Sequence, residues 1–220
     1  MGKMIKLKAK DGHELDAYLA EPKGKPRGGI VVVQEIFGVT DHVKRVADQY
    51  AAEGYRAIAP AMFDRIERGI TLPYSDIQQG IAYMQQLEWP NTLADVEAAA
   101  EAVRDAGSAS IVGYCWGGTV VHVAASELDL DAGVSYYGGG VAKNLDKHPR
   151  CPIMYHVGDQ DHSIPTPDIE KIKNAYPDAV LHVYKGAQHG FNCDERSSYS
   201  VADARVAFGR SIEFLRKQTS

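Results

Sequence analysis

Gly113-Tyr114-Cys115-Trp116-Gly117-Gly118 is the stretch that decides how this chain folds. The mostly apolar residues 110–113 are typical of a short buried strand, and the small residues 119–126 are typical of a helix. Glycines two positions before and two positions after Cys115 let the backbone bend sharply, because a Cβ at either position would crowd the strand and the helix. The pattern G-x-C-x-G therefore predicts a nucleophile elbow that carries a cysteine.

The composition of the 220 residues is that of an ordinary globular protein, with 45% hydrophobic and 24% charged residues. This length supports one sizeable core, and no linker composition interrupts it, so we expect a single domain over residues 1–220. A net charge of -5 argues against nucleic acid or an anionic membrane as a partner, because both require concentrated Lys and Arg. We expect a small-molecule partner, a monomer, no membrane segment and a cytoplasmic location.

The three cysteines, Cys115, Cys151 and Cys193, are widely spaced and form no C-x-x-C pair. This pattern predicts neither a disulfide framework nor a zinc site. Cys151, which precedes Pro152 at the start of an apolar strand, is interpreted as a buried structural thiol.

Strand and helix patterns alternate along the chain. Residues 4–10 and 15–20 alternate in polarity on either side of Asp11-Gly12, which predicts an antiparallel hairpin. Further strands are predicted at 30–33, 55–60, 110–113, 132–137, 153–157 and 179–184, and helices at 41–53, 75–87, 92–106, 119–126, 167–176 and 201–217. The β-branched, continuous strands favour an α/β fold with a mostly parallel central sheet and helices on both faces.

Two local features refine this pattern. Asp41 has a side chain suited to cap the first helix, so it is predicted as the N-cap. Residues 61–73 have no clean period and are expected to form a loop or lid over the strand ends.

Polar side chains follow several predicted strands, and in an open α/β sheet ligands bind beyond the carboxyl ends of the strands. These residues are Glu35, Cys115, Asp161 and His189. The order nucleophile, acid, histidine is that of the α/β-hydrolases, so we expect the α/β-hydrolase fold.

Each expected role has a physical reason. A helix N-terminus and a neighbouring imidazole both favour the thiolate of Cys115, which is the form that attacks a carbonyl carbon. His189 acts as base and then as acid, and Asp161 orients its ring. The oxyanion hole is expected from the backbone N–H groups of Trp116 and Ile36.

Four stretches together resemble the dienelactone hydrolase family (carboxymethylenebutenolidases) of the α/β-hydrolase fold, and the resemblance spans nearly the whole chain. They are Gln34-Glu35-Ile36-Phe37-Gly38, Gly113-Tyr114-Cys115-Trp116-Gly117-Gly118, Gly158-Asp159-Gln160-Asp161 and His189-Gly190-Phe191.

The resemblance implies a hydrolase that cleaves a small activated ester or lactone through a cysteinyl acyl-enzyme. It implies Cys115 as the nucleophile, with Asp161 and His189 completing the triad, and it favours Asp161 over the neighbouring Asp159. Glu35 is implied as the carboxylate that pairs with the resting thiol and leaves it when substrate binds. Neither a metal nor an organic cofactor is implied.

One departure from the family concerns substrate binding. Members that act on dienelactone hold the substrate carboxylate with two arginines, whereas this chain has Cys193 at one position and glutamines near residues 78–79 at the other. Without these charge-assisted contacts, the sequence argues against dienelactone itself as the substrate. The arginines that remain as candidates for a carboxylate are Arg65, Arg68 and Arg196.

Several alternatives stay open on the sequence alone. The G-x-C-x-G pattern also fits a buried cysteine at a tight turn, and Glu35 also fits a solvated loop carboxylate. Other functions are a cysteine enzyme like the class I glutamine amidotransferases, or a non-catalytic ligand-binding protein on a hydrolase scaffold.

Overall fold

The β-branched run at residues 30–33 forms strand β3 (Gly29–Val33), in which every residue is buried. The computed structural model describes residues 2–218, which fall into two compact units, residues 2–111 and 112–218. The boundary lies within strand β5 (Ala109–Tyr114), which therefore belongs to both units. One domain over residues 1–220 stays a prediction.

The first unit contains β3, β5 and three further strands, β1 (Lys3–Lys8), β2 (Glu14–Ala20) and β4 (Arg56–Pro60). Their order in the sheet is β1-β2-β4-β3-β5. The predicted hairpin is confirmed, because β1 and β2 pair in antiparallel register with Leu7 opposite Leu15. Strands β3 and β4 are parallel, and β2 and β4 are antiparallel. The helices of this unit are α1 (Asp41–Ala52), α2 (Ile77–Met84), α3 (Trp89–Arg104) and a 3-10 helix (Met62–Arg65).

The N-cap of α1 is Thr40, so the prediction of Asp41 was wrong by one residue. Thr40 has an extended backbone, and its Oγ1 accepts a hydrogen bond of 3.4 Å from the N–H of Val43. Asp41 already lies in the first helical turn. There its carboxylate is still favourable, because the helix N-terminus carries a partial positive charge.

Residues 61–73, predicted as a loop or lid, contain the 3-10 helix Met62–Arg65. The buried carboxylate of Asp64 accepts hydrogen bonds from the N–H of Asp16 at 2.8 Å and from the N–H of Gly69 at 2.9 Å. These bonds attach the segment to β2 and close its own turn. A buried carboxylate with two backbone donors favours a fixed segment over a freely moving one.

The second unit adds β6 (Gly133–Tyr136), β7 (Ile153–Gly158) and β8 (Val180–Tyr184). The strand order is β5-β6-β7-β8, and the pairs β6/β7 and β7/β8 are parallel. Its helices are α4 (Trp116–Glu127), α5 (Thr166–Ala175), α6 (Val201–Gln218) and a 3-10 helix (Val141–Lys143). Helix α4 begins directly after Cys115, three residues earlier than predicted. The alternation of mostly parallel strands with helices confirms the α/β class.

Polar groups buried inside the second unit bond to one another. His156 on β7 has no exposed surface, and its Nδ1 bonds to Tyr184 Oη at 2.8 Å while its Nε2 bonds to Ser211 Oγ at 3.0 Å. Ser211 Oγ also lies 2.7 Å from Tyr136 Oη. This network links β6, β7, β8 and α6 behind the strand ends that carry the candidate site.

Candidate active site

Cys115 lies at the bend between β5 and α4, where the sequence predicts a nucleophile elbow. Its backbone has φ 56° and ψ −117°, a conformation that residues other than glycine rarely adopt. The bend leaves no room for a Cβ on Gly113, which would lie 2.1 Å from the carbonyl oxygen of Gly117. The half-buried thiol thus stands at the N-terminus of α4, where the helix favours a negative charge.

Asp161 and His189 follow β7 and β8, and the structure brings their side chains together. Nδ1 of His189 lies 2.8 Å from Oδ2 of Asp161, whose side chain is fully buried. The other carboxylate oxygen of Asp161 accepts a hydrogen bond of 2.7 Å from the N–H of Ser163. The carboxylate is therefore fixed at both oxygens and can orient the imidazole ring.

The side chain of Cys115 also lies close enough to His189 to affect the pKa of the imidazole through its charge and through hydrogen bonding. Burial of the imidazole opposes its protonation. The charge on Cys115 and the hydrogen bonds with Asp161 and Cys115 outweigh the effect of burial. The net result is that the pKa of His189 is raised to about 10. At neutral pH the imidazole of His189 therefore carries a positive charge next to the sulfur of Cys115.

Asp159, the other carboxylate in this loop, has different partners. Its Oδ1 accepts hydrogen bonds from the N–H of Gly186 at 2.6 Å and from Nε2 of Gln160 at 3.3 Å. Asp159 is exposed and joins two neighbouring turns. Of the two aspartates, Asp161 is the one that bonds to His189.

Glu35 and Ile36 lie in the loop that follows β3, in the first unit. Glu35 is only 1% exposed, so the alternative of a solvated loop carboxylate was wrong. The adjacent Gln34 holds this loop, because its Oε1 accepts a hydrogen bond of 3.1 Å from the N–H of Met62. Pairing of Glu35 with the thiol, and donation from the N–H of Ile36 and of Trp116, stay predictions.

The three candidate arginines differ in their surroundings. Arg65 makes two bonds of 2.7 Å to Asp95 and one of 2.8 Å to Asp11, and its side chain is 12% exposed. These contacts occupy its guanidinium, so Arg65 has a structural role. Arg68 donates a hydrogen bond of 2.7 Å to the carbonyl oxygen of Glu14.

Arg196, the third candidate, packs against Gly190, the residue after His189. A Cβ built on Gly190 would lie 2.7 Å from Nη1 of Arg196 and 2.8 Å from its Cζ. Arg196 is half-buried in the same loop that carries the histidine. Arg196 therefore lies against the residue that directly follows His189.

Two residues around His189 were not assigned to the site from the sequence. Ser198 Oγ donates a hydrogen bond of 2.7 Å to the carbonyl oxygen of His189. The ring of Tyr137 lies 5.2 Å from the His189 ring, centroid to centroid. No local pattern indicates these contacts, because each partner is nine or more residues away along an irregular loop or on another strand.

The other two cysteines differ from each other in burial. Cys151 is half-buried, so the prediction of a buried thiol was too strong, whereas Cys193 is fully buried. Burial and then the nearby charge of Asp131 raise the pKa of Cys151 to about 11. Cys151 is therefore a neutral thiol at physiological pH.

A cysteine on a strand-to-helix elbow, followed by an aspartate and a histidine at the ends of later strands, defines a protein of the α/β-hydrolase class. The sequence profile of the dienelactone hydrolase family matches residues 15–219. Carboxymethylenebutenolidases from Pseudomonas putida and Pseudomonas knackmussii are each 32% identical over 223 residues, which cover 96% of this chain and 94% of theirs.

Solved structures show the same fold. A Klebsiella pneumoniae protein provisionally assigned as a dienelactone hydrolase has a TM-score of 0.83 at 29% identity, covering 96% of this chain and 98% of its own. The Pyrococcus furiosus esterase Pf2001 has a TM-score of 0.73 at 14% identity, covering 100% of this chain and 93% of its own, and shares the fold alone. The chain belongs to the dienelactone hydrolase family. It is an enzyme, a hydrolase of the carboxylic ester and lactone class.

Within residues 2–218, no helix combines the length and the apolar character that a membrane span requires.

Proposed function

We propose that the protein hydrolyses a small activated ester or lactone through a covalent acyl-enzyme on Cys115. The observation that carries this proposal is the chain of side-chain contacts from Asp161 through His189 to Cys115, at a strained elbow. Its parts match the requirements of acyl transfer: a nucleophile, a proton carrier bonded to it, and a fixed group that orients the carrier.

The first half-reaction forms the acyl-enzyme. The thiolate of Cys115 attacks the carbonyl carbon of the substrate, and the carbonyl π electrons move to the oxygen. The N–H groups of Trp116 and Ile36 are proposed to stabilise this oxyanion, and each donor contributes on the order of 3 kcal/mol. When the tetrahedral intermediate collapses, the C–O bond to the leaving group breaks, and the imidazolium of His189 protonates the departing alkoxide.

The second half-reaction restores the enzyme. The neutral imidazole of His189 now takes a proton from water as the water oxygen attacks the thioester carbon. Collapse of the second intermediate breaks the C–S bond and releases the acid product. Cys115 returns as a thiolate beside an imidazolium, and Asp161 stabilises the charged ring in both half-reactions.

The substrate is proposed to be an ester or lactone other than dienelactone. The two Pseudomonas relatives are named carboxymethylenebutenolidases, so lactones are the first class to test. Arg65 is occupied by Asp95 and Asp11, and two glutamines stand where the family has an arginine on α2. Arg196 is the candidate for a substrate carboxylate, because it lies beside the loop of His189.

The test is the hydrolysis of p-nitrophenyl acetate by Cys115→Ala. We expect kcat/KM to fall by on the order of 10³-fold or more, because removing the nucleophile leaves only binding and oxyanion stabilisation. Cys151→Ala is the matched control and should retain full activity. Iodoacetamide at pH 7 should alkylate Cys115 and spare Cys151, whose raised pKa keeps it a thiol.

Circular dichroism and thermal melting establish that both variants are folded. Full activity in a folded Cys115→Ala enzyme would rule out the acyl-enzyme. Stoichiometric binding of esters and lactones without turnover by the wild type would instead indicate a ligand-binding protein on this scaffold. A panel of esters, thioesters and lactones, each with and without a carboxylate, then defines the substrate class.

A further inference from the structure

Two residues other than glycine have a positive φ within residues 2–218, and both lie at the candidate site. They are Cys115, with φ 56°, and Tyr137, with φ 38°. A residue other than glycine has a strained backbone in this region, and the conformation persists only where the surrounding structure holds it. Such residues cluster at functional sites. The nucleophile elbow explains the conformation of Cys115. The conformation of Tyr137 has no counterpart in the proposed reaction.

Backbone hydrogen bonds hold Tyr137 at the carboxyl end of β6. Its N–H donates to the carbonyl oxygen of His156 on β7 at 2.8 Å, and the carbonyl oxygen of Tyr136 accepts from the N–H of Cys115 at 3.0 Å. Tyr137 has no exposed surface. The strained residue is therefore fixed between the neighbouring strand and the elbow that carries the nucleophile.

The aromatic ring of Tyr137 lies against the histidine of the candidate triad. Its centroid is 5.2 Å from that of His189 with an interplanar angle of 63°, and 5.3 Å from that of Phe191 with an angle of 71°. Both are edge contacts of the kind that aromatic rings favour. Tyr137 thus packs against His189 and Phe191, the two ring side chains that flank Gly190 in the sequence.

The histidine needs such a contact for a geometric reason. A hydrogen bond from Nδ1 of His189 to Asp161 fixes one atom of the ring, but the ring can still tilt about that bond. A tilt moves Nε2 away from the sulfur of Cys115, and a displacement of about 1 Å at a reacting group can cost on the order of 10²-fold in rate. A rigid aromatic neighbour restricts this tilt.

We propose that Tyr137 is a positioning residue, held in a strained backbone conformation so that its ring fixes the His189 imidazole between Asp161 and Cys115. This inference rests on the proposed function, because it assigns a role to Tyr137 only through the histidine. The ring makes the contact, so the hydroxyl group is not required for the role.

The experiment compares Tyr137→Phe, Tyr137→Leu and Tyr155→Leu in the full chain, with p-nitrophenyl acetate as substrate. Tyr137→Phe keeps the ring and should retain kcat within about 2-fold. Tyr137→Leu should lose about 10- to 100-fold in kcat with KM changed by less than about 3-fold. Alkylation of Cys115 by iodoacetamide should slow in parallel, because the imidazolium no longer lies in place beside the sulfur.

Tyr155→Leu controls for the loss of a buried ring. Tyr155 lies on β7 with 1% exposure and bonds to His122 at 2.8 Å, in a different cluster. All assays are run well below the melting temperature of each variant. We expect Tyr155→Leu to be destabilised yet to keep its kcat and its alkylation rate, which separates positioning from stability.

Three results would overturn the inference. Unchanged kcat in folded Tyr137→Leu would show that the ring is not needed, and an equal loss in Tyr137→Phe would assign the effect to the hydroxyl group. An equal loss in Tyr155→Leu would assign it to general destabilisation. The proposed function fails by a different result, namely hydrolysis by the wild type that does not depend on Cys115, so the two failures are distinguishable.

Discussion

Asp159 and Asp161 are separated by one residue, yet their carboxylates face different partners. Asp161 is buried and bonds to the ring of His189, whereas Asp159 is exposed and bonds to the backbone of Gly186. The bond and charge of Asp161 are among the causes that raise the pKa of His189, after the charge on Cys115. Replacing either aspartate by asparagine keeps the size of the side chain, but it alters a different contact in each case.

Asp161→Asn should therefore impair catalysis far more than Asp159→Asn. The amide keeps the shape of the side chain, but it stabilises the imidazolium less and can select the wrong ring tautomer, so kcat should fall by about 10²- to 10⁴-fold. Asp159→Asn should change kcat by less than about 3-fold. Steady-state hydrolysis of p-nitrophenyl acetate measures both, and comparable losses in the two variants would contradict the assignment of Asp161.

At the scale of secondary-structure elements, a glycine lets helix α2 approach the backbone of the first unit closely. Gly80 is the one buried residue among residues 77–84, and a Cβ built on it would lie 2.3 Å from the carbonyl oxygen of Ile36. The helix therefore packs directly on the loop after β3. Gly209 in α6 is also helical, but a Cβ there would meet nothing within 4 Å.

Alanine at these two glycines should have opposite effects on stability. Gly209→Ala should raise the free energy of unfolding by about 0.5–1 kcal/mol, because alanine is the better helix former. Gly80→Ala gains the same propensity but forces α2 away from Ile36, which should lower the free energy of unfolding by about 1–3 kcal/mol. Urea denaturation measures both values. Stabilisation of similar size in the two variants would show that α2 can move away from Ile36 without lowering the free energy of unfolding.

Local sequence patterns predict most of these elements, because polarity alternation and helical spacing act within a few residues. The hairpin of β1 and β2 and the buried strand β3 follow from such patterns. The 3-10 helix at Met62–Arg65 does not, because its fixation depends on bonds from Asp64 to Asp16 and from Arg65 to Asp95. Those partners are 30 or more residues apart, and no local pattern encodes them.

The candidate site divides in the same way. Glycine spacing and chain order predict that Cys115, Asp161 and His189 stand at strand ends, because these features are local to each motif. The preference for Asp161 over Asp159 rested on family resemblance, since both follow the same strand. The contact of Tyr137 with His189 depends on how β6 ends relative to β8, which only the folded chain shows.

At the scale of the whole molecule, the half-buried His189 and the buried His156 give the free energy of unfolding opposite dependences on pH. The pKa of His189 is raised to about 10, so its stabilising contribution is complete below about 6.5, the unfolded value, and is lost as pH rises towards 10. Burial lowers the pKa of His156 well below its usual value, with smaller effects from His182 and Arg210. The stabilising contribution of His156 is complete above about pH 6.5, the unfolded pKa, and is lost as the pH falls below that value.

His156 should therefore contribute to unfolding of the protein in mild acid. Below pH 6.5 His156 is protonated in the unfolded chain but stays neutral in the folded chain. This difference in proton binding lowers the free energy of unfolding by up to about 1.4 kcal/mol per pH unit. His156→Gln should be less stable at pH 7.5, because the bonds to Tyr184 and Ser211 are disturbed. The difference from wild type should narrow between pH 6.5 and 5, since glutamine does not titrate. Urea denaturation across this range measures the difference, and a gap that stays constant with pH would show that His156 titrates equally in both states.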